Sequence, residues 1–160
     1  MIKAFTILEL LVVLIISAIV IDLGISVYQI AFKGFSSYRK INKKINEVSL
    51  LNSLLYSDVT KSIKIQKASN GVDLINSNDR IVSYLIEENW ITRRQDSITD
   101  TFYLSIEKVE LKFKDEEVNE IEKPIDEIYF ETKILKKSEL FHFKKEYDNY
   151  SLMVFEQLYK

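Results

Sequence analysis

KAFTILELLVVLIISAIVIDLGISV, residues Lys3–Val27, is the stretch on which the reading of this chain turns. Leu10 to Ile21 is apolar apart from Ser17, and only Glu9 and Asp22 carry charge between Phe5 and Val27. Phe5–Val27 is 23 residues, and at about 1.5 Å per residue such a helix is ~34 Å long, enough to cross a hydrocarbon core. Only Met1–Ala4 precedes it, with a single Lys. Glu9 sits near the start of the apolar run, where a carboxylate is costly in lipid, so it needs a partner or a task. A secretory peptide cut after the run would leave an A-x-A-like site past Ile21, and the sequence has none there. An uncleaved signal anchor accounts for the span but for neither Glu9 nor Phe5 in register.

Beyond the span the helical period continues. Tyr28, Phe32, Phe35, Tyr38, Ile41, Ile45, Val48, Leu51, Leu55 and Val59 recur in steps of three or four, one apolar stripe on a helix. Only Gly24 and Gly34 interrupt, and the single Pro is Pro124. The spacing predicts one continuous helix from Phe5 to about Lys61, ~85 Å long at the standard rise. Lys33, Arg39, Lys40, Lys43 and Lys44 lie along it with no acidic residue between Asp22 and Glu47.

After Lys61 the period switches to two. Ser62–Lys67 and Gly71–Asn76 flank the turn signal Ser69-Asn70-Gly71, and Asn76–Asp79 is a second turn. Ile81–Glu87 and Trp90–Gln95 flank Glu88-Asn89. Thr101–Asp115 alternates as one long bent strand or two. Pro124 closes an acidic loop, Asp115–Glu122; Ile125–Ile134 and Ser138–Tyr147 follow, joined by Lys136-Lys137. Tyr150–Tyr159 is a last strand or a docked helix. The expected class is α+β: a long N-terminal helix, its first half transmembrane, packed on an antiparallel β-sheet head. The expected divisions are 1–4, a leader; 5–27, the transmembrane helix; 28–61, its amphipathic continuation; and 62–160, a β-rich head.

Composition removes several chemistries. Without Cys there are no disulfides, thiolate metal sites or Cys nucleophiles. A net charge of -2 gives no general nucleic-acid footprint. The only His, His142, alternates with Phe141 and Phe143 and reads as an exposed strand position, not as a catalytic or metal-binding centre. The acidic run Asp115, Glu116, Glu117, Glu120, Glu122 offers oxygens of the kind Ca²⁺ takes, but matches no EF-hand spacing and reads as a solvated turn. Neither a cofactor nor a catalytic residue is expected.

K-A-F-T-I-L-E followed by a long apolar run resembles the class III signal of type IV pilins and type II secretion pseudopilins. In that family a short basic leader ends in a small residue, prepilin peptidase cuts after it, the new N-terminal Phe is N-methylated, and the fifth mature residue is Glu. Here the resemblance puts cleavage between Ala4 and Phe5, methylation on Phe5, and the assembly role on Glu9. Ala4 departs from the usual Gly, and the Pro many pilins carry later in this helix is absent.

A looser resemblance covers the head. Leu50–Ile65, then GVDLI, then IVSYLIEENWITRR is similar in element order to J-type minor pseudopilins, with Leu55, Asp58, Tyr84 and Arg93 at the matching places. Competence pseudopilins share much of this order. The resemblance implies a processed, single-pass, inner-membrane subunit of a type II secretion or type IV pilus-like filament or its tip. Its N-terminus would be cytoplasmic and its head periplasmic or extracellular. The implied partners are other pilins or pseudopilins, prepilin peptidase and an inner-membrane assembly platform, with nucleic acid involved only in a DNA-uptake variant. That topology opposes the positive-inside tendency, because the basic run follows the span. The alternative from a different class is a membrane-anchored periplasmic binding or enzymatic domain.

Overall fold

The structure is a computed structural model, and it describes residues 6–134 and 137–159. The chain divides into two units, one up to Lys43 and one from Lys44 onward.

Among the described residues, the first unit is helical from Ile7 onward. α1 (Ile7–Lys61) starts there, and its apolar side chains from Ile7 to Tyr38 are exposed. A water-soluble helix hides one stripe, whereas a helix apolar all round belongs in a membrane or in an assembly. α1 is long and apolar enough to cross a membrane.

The second unit opens with the rest of α1, where a buried stripe appears: Val48, Leu51, Leu55, Asp58 and Val59. Helix passes into strand without a loop. Ser62 opens β1 (Ser62–Ala68) while its hydroxyl donates to the Val59 carbonyl at 2.8 Å, satisfying one of the helix's last acceptors. β2 (Gly71–Asn76), β3 (Ile81–Ile86), β4 (Ile91–Gln95) and β5 (Ile98–Phe102) complete an antiparallel meander in chain order. The second sheet, in the order β7-β6-β8-β9, comprises β6 (Ile106–Phe113), β7 (Glu116–Glu117), β8 (Glu127–Ile134) and β9 (Lys137–Lys144). α2 (Asn149–Leu158) follows, capped by Asp148, whose carboxylate accepts from the Ser151 amide at 2.7 Å.

The α+β class is as expected, and the ambiguous segments resolve. Thr101–Asp115 divides at Tyr103–Ser105 into the end of β5 and β6. β5 begins earlier than the alternation indicates, at Ile98, because a tight turn with Asp96 at φ 53° returns the chain from β4. The tail is a helix. Lys137 belongs to β9, not to its connection, and Lys136 lies outside the described residues.

The core joins Leu51, Leu55 and Val59 of α1 to Ile65, Leu74, Val82, Tyr84 and Ile91 of the first sheet and to Leu111, Ile128, Phe130 and Phe143 of the second. A strap bridges the sheets. Ile125 N donates to Ile65 O, Lys67 N to Lys123 O, and Glu122 N to Lys67 O, each at 2.8–2.9 Å, which covers the outer edge of β1. The half-buried Tyr147 fastens this strap, its hydroxyl accepting from Ile65 N at 2.9 Å and donating to Ile125 O at 2.6 Å. Gly71 is required where it stands: at φ 136°, a Cβ would meet the Tyr84 carbonyl oxygen at 2.0 Å.

Candidate functional site

Two places hold candidate functional residues, one in each unit. Ala4 and Phe5, the expected processing residues, lie outside the described residues. Glu9 is in the first turn of α1, exposed, and its amide donates to the Thr6 hydroxyl at 3.3 Å. Thr6-Ile7-Leu8-Glu9 has the S/T-x-x-E spacing of a capping box, in which the third-position carboxylate also favours the positive end of the helix dipole. That spacing is legible in the sequence itself. A carboxylate in the first turn of a helix is favoured there without any partner molecule.

The second place is a buried ionic cluster under the last turn of α1. The strand register builds its sheet side. Tyr84 on β3 is opposite Arg93 on β4, and Arg93 is opposite Asp100 on β5, so all three share one face. Asp58, one turn past Leu55 on the buried stripe of α1, meets them. Its Oδ2 accepts from the Tyr84 hydroxyl and from Arg93 Nε, both at 2.7 Å, and its Oδ1 accepts from an Arg93 terminal nitrogen at 3.3 Å. The same guanidinium donates to Gln95 Oε1 at 2.6 Å and stands 3.6 Å from Asp100. The Arg93 and Asp58 side chains are 8% and 10% exposed, so the pair survives only because nearly every arm of the fork has an acceptor. Burial, then donation to Asp58, pushes the Tyr84 phenol well above its usual range, so it stays a neutral donor. The bond to Asp58 raises the Arg93 guanidinium further.

Of the four residues that the looser resemblance marks, Asp58, Tyr84 and Arg93 bond to one another here, and Leu55 packs in the hydrophobic core. The sequence gives no sign of Gln95 and Asp100 as members. Gln95 joins as the residue two on from Arg93 along β4, on the same face, and Asp100 joins through the antiparallel register of β4 with β5.

The outer face of the second sheet holds His142. Its ring stacks on Tyr129 at 4.2 Å, and its Nε2 is 3.8 Å from Glu127. The Lys144 ammonium and the Tyr129 hydroxyl hold the Glu127 carboxyl below the usual carboxylate range. A groove of about 500 Å³ lies between α2 and the acidic loop, floored by Phe113, Val118, Phe155 and Tyr159. Ion pairs Lys114–Glu156 and Lys123–Glu120 line it. Among the described residues, no group of three or more His, Asp or Glu is placed to hold a metal ion.

No family model matches this chain, and neither a curated protein nor a solved structure is similar to it.

Proposed function

We propose that the chain is a minor pilin or pseudopilin, a structural subunit of a type II secretion or type IV pilus-like filament or its tip. One observation carries the reading. α1 is bare and apolar in its first unit, and in the second its last turn is fixed into a β-head through Asp58. A helix of this kind has two environments to satisfy, a membrane or filament interior for the first part and a folded head for the last.

In this reading prepilin peptidase cuts between Ala4 and Phe5, and Phe5 becomes an N-methylated terminus. Glu9 then guides assembly by meeting the Phe5 amine of a neighbouring subunit at the membrane surface. Desolvation consumes much of the Coulombic gain of such a pair, so its value lies in register and entry. The subunit sits in the bacterial inner membrane with its N-terminus cytoplasmic and its head outside. Its role is structural, not catalytic. The buried cluster suits that role, since it offers no open position to a substrate and locks the helix to the sheet.

Co-expression with a prepilin peptidase tests the reading. The mature protein is expected to start at Phe5 with one added methyl group by mass spectrometry. An intact Met1 in cells holding the active enzyme refutes it.

A further inference from the structure

We infer that Tyr28–Lys40 of α1 is a collar for an anionic bilayer surface, with its rings at the hydrocarbon boundary and Lys33, Arg39 and Lys40 among acidic lipid headgroups. The inference rests on α1 crossing a bilayer and not on the pilin reading.

Three observations carry it. First, Tyr28, Phe32, Phe35 and Tyr38 stand 60–66% exposed, four rings following directly on the apolar run. Tyr rings, here Tyr28 and Tyr38, gather at membrane interfaces because one end of such a site is apolar and the other wet, and Phe32 and Phe35 add apolar area between them. Second, the charges here have one sign: between Asp22 and Glu47 the helix carries Lys and Arg and no carboxylate. A zwitterionic surface has no net charge to match this, whereas an anionic one draws juxtamembrane cations. Third, side chains on a helix lean toward its N-terminus, here toward the span. Arg39 does so, its guanidinium lying over the Phe35 ring, 5.9 Å from the centroid. Cations after the span therefore reach back to the headgroups.

The collar also sets the register of the span. Leu10–Ile30 is 21 residues, about 31 Å at the standard rise, which matches a ~30 Å core. It encloses one charged residue, Asp22, where Phe5–Val27 encloses Glu9 as well. Glu9 then bounds the span on one side, and Lys33 bounds it on the other.

The absence of Cys makes the test direct. The full chain carrying Ser37→Cys with a fluorescent donor is reconstituted in phosphatidylcholine vesicles. These hold traces of acyl-chain-labelled phosphatidylglycerol or acyl-chain-labelled phosphatidylcholine as acceptor. Phosphatidylglycerol is expected to be enriched around the donor about fivefold, the factor one such contact is worth at an anionic surface. The enrichment should vanish in about 1 M salt, where the Debye length is ~3 Å. It should also vanish in a Lys33→Gln, Arg39→Gln, Lys40→Gln variant. Equal transfer to both acceptors overturns the inference, as does enrichment that persists in the triple variant. Donor shielding that follows protein density instead of lipid charge also overturns it, and assigns the face to a second copy. A parallel Leu14→Cys probe reports the span: if mid-chain quenchers in the lipid do not reach it, the membrane-crossing premise falls. If they do reach it and the Ser37→Cys donor shows no preference, the collar alone falls.

Discussion

Replacing Asp58 by Leu should destabilise the second unit by about 3 kcal/mol, the low end of the 3–5 kcal/mol that follows breaking a buried pair from one side. The structure sets the figure. Arg93 would lose both bonds to Asp58, and Tyr84 would lose the carboxylate it donates to. The guanidinium would keep Gln95 at 2.6 Å and Asp100 at 3.6 Å, and Asp100 is partly open to water, which moderates the loss. For a domain of this size that is a fall in Tm of roughly 12 °C. Trp90, the only Trp, immediately precedes β4 and reports the change by fluorescence in urea titrations of the full chain in detergent. The midpoint should fall with an unchanged m-value. Adding Arg93→Met should recover much of the stability, because the penalty lies in the stranded cation and not in the missing attraction. A single variant costing less than about 1 kcal/mol would mean that the cluster is effectively solvated. A double variant worse than the single would place the energy in the attraction itself. Either result would refute this account of how α1 is held to the sheet.

Glu9→Gln and Glu9→Leu separate the two tasks proposed for Glu9, assembly and helix capping. Gln keeps the capping-box spacing and loses the charge, so crosslinking to partner pilins should fall equally in both variants if pairing with a Phe5 amine is the role; Gln retaining wild-type yield would assign Glu9 to capping. A reporter active only outside the cytoplasm, fused after Lys160, should be active despite the basic run after the span, and a silent reporter with a folded head would mean that the charges set the orientation. Stability should decline as pH rises above about 10, because burial raises the Tyr84 and Tyr147 phenols in the folded state and the unfolded chain releases those protons first. Their contribution is complete below the unfolded value and lost above it, so urea midpoints between about pH 9 and pH 11 should fall less steeply in Tyr84→Phe and Tyr147→Phe than in wild type.

Sequence alone determined the features that depend on local periodicity. The apolar run, the three-and-four stripe through Val59 and the switch to alternation at Ser62 appear where composition places them, since helix and strand periods are properties of neighbouring residues. Gly71 was legible as a turn, although its tight approach to the Tyr84 carbonyl was not. Tertiary structure decided what depends on distant segments. The stripe is uniform from Tyr28 to Val59, yet burial begins only at Val48, because apolar spacing marks a face without naming what covers it. The tail is a helix because Phe155 finds Tyr147 and Phe113 to pack against, and a short apolar run carries no such information by itself. The ionic cluster divides the same way. Asp58, Tyr84 and Arg93 are legible through the looser resemblance and Gln95 shares the face of Arg93 by the period of two within β4, whereas Asp100 joins them through strand register, which hydrogen bonding between strands fixes and no single strand encodes.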